Sequence, residues 1–120
     1  MKVSGPDFVA LQWQDKEAGR KFYQEMLGLE LASFSPPDAV VFDTEPIAFA
    51  IREPLVDLDL TAYRGHGVVL WLLADDTEAV FEHFKAQGAE IVRALGESPF
   101  GKTFTFRDPE GYLVTIHDKG

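Results

Sequence analysis

An α+β fold is predicted for this chain: two tandem βαβββ modules forming a cupped half-barrel sheet with the helices on the outer face. Two internal repeats and the count of elements carry the prediction. At a shift of 61, residues 8–18 fall on 69–79, with Leu11/Leu72, Asp15/Asp76, Glu17/Glu78 and Ala18/Ala79 identical. At a shift of 65, Asp43-Thr44-Glu45-Pro46 falls on Asp108-Pro109-Glu110-Gly111, and each turn precedes an apolar strand. The repeats come in the same order at similar shifts, as a duplicated supersecondary unit requires. Four strands and one helix per unit leave one sheet face uncovered by helix. A ferredoxin-like βαββαβ plan has fewer strands than the sequence shows.

The elements follow in order. Residues 8–14 read as a strand. Asp15 is the N-cap of a helix over 16–27, and Glu17 in its first turn suits the dipole. Ala18, Phe22 and Met26 recur at spacing four, and Gly28 is the stop. Strands are expected at 29–34, 39–42 and 47–52, separated by the turns Ser35-Pro36-Pro37-Asp38 and Asp43 to Pro46. Residues 53–67 read as a linker, so the modules span about 7–52 and 68–117 of one 120-residue domain. The second module repeats the order. A strand at 68–74 leads to a helix at 77–87 capped by Asp76, with Val80 and Phe84 inward and Gly88 as the stop. Strands at 89–93, 103–107 and 112–117 follow, with 94–102 as a glycine- and proline-bearing loop.

Composition narrows the function. There is no cysteine, which removes disulfides, thiolate metal sites and cysteine nucleophiles. A net charge of -9 and a pI near 4.6 argue against nucleic acid, whose phosphates call for lysine and arginine. The same field would attract a cationic ligand. The N-terminus lacks the apolar core of a signal peptide, and no apolar run reaches membrane-spanning length. The cytoplasm is the expected location and a membrane is not an expected partner.

Asp15-Lys16-Glu17-Ala18 is followed by Phe22-Tyr23-Gln24-Glu25-Met26-Leu27-Gly28. Asp76-Thr77-Glu78-Ala79 leads to Ala86-Gln87-Gly88-Ala89, and Phe100-Gly101 leads to Phe106-Arg107-Asp108-Pro109-Glu110-Gly111-Tyr112. In this order and spacing the chain resembles the vicinal oxygen chelate superfamily, the glyoxalase, bleomycin-resistance and extradiol dioxygenase group. The resemblance implies the paired-module fold and a homodimer. It does not imply one activity, because the group includes isomerases, dioxygenases, thiol transferases and metal-free drug-binding proteins.

The resemblance also locates the superfamily's metal-ligand positions, two per module. Here they hold Phe8, Ala50, Val69 and Thr115, none an imidazole or a carboxylate. A divalent ion needs several such groups converging on one point, so no metal and no other cofactor is expected. His66 reads as a loop residue and His83 as an exposed helix residue. His117 shares the strand parity of Thr115 and stands either at a pocket mouth or at a strand end. No catalytic set appears: no phosphate loop, no nucleophile elbow, no paired histidines at helical spacing.

Alternation assigns the cupped face. Phe8, Ala10 and Gln12 point in, with Val9, Leu11 and Trp13 toward the helices. Ala48, Ala50 and Arg52, then Val69, Trp71 and Leu73, then Leu113, Thr115 and His117 also point in. The strand at 103–107 is ambiguous between Phe104 with Phe106 and Thr103 with Thr105; Phe104 is taken into the candidate site. Phe34, Phe100 and Tyr112 are candidate rim residues. An apolar, aromatic face with a few polar handles suits a flat organic ligand. The expected function is metal-free binding of an aromatic or cationic natural product, of the bleomycin-resistance type. The alternative is a metal-dependent lyase, isomerase or dioxygenase with displaced ligands.

Overall fold

A computed structural model describes residues 1–60 and 64–119. The chain divides into two compact units, residues 1–60 and 61–120. The expected linker at 53–67 runs across residues 61–63, which lie outside the described residues.

In the first unit, β1 (Phe8–Gln12), β2 (Ala39–Phe42) and β3 (Ala48–Arg52) form a sheet in the order β1-β3-β2. β1 runs parallel to β3, and β2 runs antiparallel to it. α1 (Lys16–Lys21) starts at Asp15, whose side chain accepts from the backbone N–H groups of Glu17 and Ala18. It continues as a π-helical turn over Phe22–Met26 and ends at Gly28, where φ is +68°. The buried stripe of this helix is Gly19 and Tyr23, one residue beyond the expected Ala18, Phe22 and Met26. The cause is Trp13, which fills the space above the sheet. A Cβ on residue 19 would stand 2.6 Å from Ile51 Cγ2 and 2.9 Å from Trp13 Cδ2, so only glycine admits the helix there. Trp13, Tyr23, Phe42, Phe49 and Ile51 make the core.

The strand expected at 29–34 is reduced to a bridge between Leu31 and Phe42. Two backbone bonds flank it, Ala32 N–H to Val41 O at 2.9 Å and Asp43 N–H to Glu30 O at 2.8 Å. Pairing stops because the hydroxyl of Ser35 takes the Val41 N–H at 2.9 Å, and Pro36 and Pro37 supply no donors.

In the second unit, β4 (Leu70–Leu73), β5 (Glu90–Ser98), β6 (Gly101–Arg107) and β7 (Leu113–His117) form a sheet in the order β4-β7-β6-β5. β4 and β7 are parallel and the other pairs antiparallel. α2 (Thr77–Ala86) is capped by Asp76, which accepts from Ala79 N–H at 3.1 Å. Phe81 and Phe84 press on Phe104, and Phe84 also on Phe106, with ring centroids 4.6–5.6 Å apart. β5 is longer than expected. Residues 94–98, read as loop, stay paired to β6 through register shifts on either side of Arg93.

The units repeat one register. Val9, Ala10, Leu11 and Gln12 face Phe49, Ala50, Ile51 and Arg52 in parallel. Leu70, Trp71, Leu72 and Leu73 face Val114, Thr115, Ile116 and His117 in the same way. Those are the two sequence shifts, 61 on the first strand and 65 on the last. Even the closing bond recurs, Trp13 N–H to Arg52 O in one unit and Ala74 N–H to His117 O in the other. The second repeat is looser. Asp43 is exposed, whereas Asp108 is buried and its carboxylate gathers the N–H groups of Glu110, Gly111 and Tyr112 at 2.9–3.0 Å.

Candidate functional site

The side of each sheet away from its helix carries most of the expected site residues. In the first unit Phe8 and Ala10 are exposed, Ala48 is half-buried and Ala50 is buried. The two expected polar handles are engaged within the unit. Gln12 Oε1 accepts from the backbone N–H groups of Leu55 and Val56, at 2.6 and 3.3 Å, which ties the loop after β3 to β1. Arg52 donates to Asp38 at 2.9 Å and to the carbonyl of Glu53 at 3.0 Å, so its charge is already met. Phe34 is exposed beyond the Leu31–Phe42 bridge.

In the second unit cross-strand pairing sets the face row by row. Trp71 pairs with Thr115, Thr115 with Thr105, and Thr105 with Arg93. Leu73 pairs with His117, and His117 with Thr103. Directly paired residues point to one side, so these side chains share a face. Trp71 is 47% exposed and Phe100 53% exposed. The Trp71 ring meets His117 edge-on at 5.4 Å and Phe100 at 5.8 Å. His117 Nδ1 donates to the Lys119 carbonyl at 2.9 Å, which fixes the ring's orientation. Val69, Trp71, Leu113 and Thr115 line one side of an open groove of about 320 Å³, and Val92, Arg93, Thr103 and Thr105 the other.

One expectation changes here. Phe104 does not face the groove; it is fully buried against α2, and Thr103 and Thr105 take the groove side. The repeat of phenylalanine at 104 and 106 provides one apolar parity for the helix, and threonine provides the other. Tyr112 lies with its ring 3.1 Å from where a Cβ on Gly65 would stand, so it packs on that turn. Val92 and Arg93 were missed as groove residues, because a bulge in β5 turns both to the same side. A bulge leaves no period-2 signature in sequence.

The donor set at the superfamily's metal positions does not fit a divalent ion. Phe8, Ala50 and Val69 have no donor atom, and the Thr115 hydroxyl is 2.7 Å from that of Thr105. Among the described residues no three His, Asp or Glu side chains gather into a metal-binding group. Among the same residues no helix is long and apolar enough to cross a membrane.

Residues 5–116 match the Glyoxalase/Bleomycin resistance protein/Dioxygenase superfamily. The chain belongs to this superfamily. The lactoylglutathione lyase of Haemophilus influenzae is 27% identical over 110 residues, which is 83% of this chain and 82% of that protein. Among solved structures, a lactoylglutathione lyase from Agrobacterium tumefaciens is similar with a TM-score of 0.72 at 22% identity, covering 98% of this chain and 96% of that one. A glyoxalase-related enzyme from Fulvimarina pelagi is similar with a TM-score of 0.76 at 20% identity, covering 98% and 89%. At these identities the structural likeness speaks for the superfamily fold.

Proposed function

We propose that the protein binds a small aromatic ligand on the open face of the β4-β7-β6-β5 sheet, without a metal ion. The observation that carries this is Trp71. It stands half-exposed at the wall of the groove, already edge-on to Phe100 and His117. A large ring left in water, beside a groove of ligand size, is the arrangement of a stacking platform. Leaving it uncovered forgoes the burial that would otherwise stabilise the fold. The residues at the metal positions support binding in place of metal chemistry.

A second reading is a lyase related to the lactoylglutathione lyase of Haemophilus influenzae, favoured by that sequence similarity. One experiment separates them. A panel of aromatic compounds is titrated calorimetrically into wild type and Trp71→Ala, and lactoylglutathione turnover is assayed with and without added Zn, Ni and Mn. Binding that is lost in Trp71→Ala, with no metal-dependent turnover, is the expected result. Turnover that rises with metal would replace the binding reading with the lyase.

A further inference from the structure

We propose that this groove selects an aromatic carboxylate, with the ring at Trp71 and the acid at Arg93; the inference rests on the reading of the sheet face as a ligand site. The row Trp71–Thr115–Thr105–Arg93 crosses all four strands of the sheet in direct register. Three strand steps of about 4.8 Å put the two ends about 14 Å apart at Cα, a span that a ring with a short acid chain can bridge once both side chains lean inward.

The charges along the groove decide the sign. Its lining contains no Asp or Glu. Arg93 is exposed on this face and meets no carboxylate among the described residues. The other arginines nearby differ. Arg107 is held by Glu90 at 2.9 Å and by the Gly111 carbonyl at 3.1 Å, and Arg64 by Glu110 at 2.8 Å. A chain with 20 acids and 11 Lys and Arg thus leaves a guanidinium unpaired in a groove free of acids. That local field opposes the net charge and favours an anion over the cation that composition suggested. A planar guanidinium also matches a carboxylate with two parallel bonds.

The middle of the row is polar as well. In the Thr105–Thr115 bond, 2.7 Å between oxygens, one hydroxyl donates and the other accepts. The accepting hydroxyl keeps its own O–H, which can be given to a ligand oxygen. The groove floor therefore offers donors from its centre to its Arg93 end, and an apolar wall of Val69, Trp71 and Leu113 at the other.

The test uses three probes with one ring system: 3-(2-naphthyl)propanoate, its primary amide, and the corresponding amine. Each is titrated calorimetrically into the whole protein, wild type and the variants Arg93→Gln, Arg93→Lys and Trp71→Ala. The acid should bind about 1.5- to fivefold more tightly than the amide at low ionic strength, the range for a solvent-exposed charge pair. The preference should shrink as ionic strength rises from about 0.01 M to about 1 M. Arg93→Gln should lower the acid to the amide's affinity and leave the amide unchanged, Arg93→Lys should keep part of the preference, and Trp71→Ala should weaken both. Equal binding of acid and amide, or tighter binding of the amine, would overturn the charge selection while the aromatic site stands. Binding of none of the three overturns both.

Discussion

Thr105 and Thr115 face each other across β6 and β7 with 2.7 Å between their hydroxyl oxygens, at the centre of the face opposite α2. Thr115 is 4% exposed, so this bond replaces solvent for a hydroxyl that a ligand-free sheet would otherwise leave dry. A bonded hydroxyl pair in the groove floor has a definite energetic signature.

Thr115→Val should destabilise the protein by about 1–2 kcal/mol, because it strands the Thr105 hydroxyl as well as losing the bond. The double variant Thr105→Val with Thr115→Val should cost less than the two single changes added together. Urea unfolding of the four proteins gives the coupling. Strict additivity would mean that the two hydroxyls do not interact.

The two tryptophans should separate. Trp13 is 2% exposed and packs edge-on to Tyr23 at 6.3 Å, so Trp13→Ala should cost on the order of 3–5 kcal/mol. Trp71→Ala removes a half-exposed ring and should cost less than about 1.5 kcal/mol. Thermal melts of both variants check this. A lower melting temperature for Trp71→Ala would invert the assignment of faces.

Gly19→Ala should destabilise by about 1–3 kcal/mol, the usual cost of overpacking, although alanine in place of glycine ordinarily favours a helix. The obstacle is the indole of Trp13 and the Cγ2 of Ile51. In a Trp13→Ala background the same change should cost clearly less. A penalty of equal size in both backgrounds would assign the close approach to something other than the indole.

Asp108→Ala should cost about 2–4 kcal/mol, since three backbone N–H groups of the β6–β7 turn lose an ionised acceptor. Asp108→Asn keeps an oxygen at the same place and should recover part of the loss. Amide exchange of Glu110, Gly111 and Tyr112 should quicken in the alanine variant. Unchanged exchange at these three amides would show that the turn holds itself.

Much of this was legible in the chain. The shifts of 61 and 65 reappear as strand register, from Val9 opposite Phe49 to Leu73 opposite His117. Asp15 and Asp76 cap the two helices because a short carboxylate before a helix reaches its first N–H groups. Gly28 and Gly88 end the helical segments at φ of +68° and +73°, where side chains are strained. Trp13 inside and Trp71 outside follow from strand alternation once the superfamily's strand positions fix which side is which.

The groove's polar half was not legible. Thr-Phe-Thr-Phe over residues 103–106 has two parities, and only α2 docking on Phe104 and Phe106 chose between them. Gln12 and Arg52 lie on the side that alternation assigns, but loop residues Leu55, Val56 and Asp38 engage their polar groups. Arg93 reaches the groove through a bulge beside Val92. Sequence determines what is local and periodic: caps, stops, the repeat, and the face of a strand whose parities differ in polarity. Tertiary structure decides the face of a strand that is apolar on both counts, the turn of a bulged residue, and the partner of each charge. Those depend on contacts between segments far apart in the chain, whose energies no local pattern encodes.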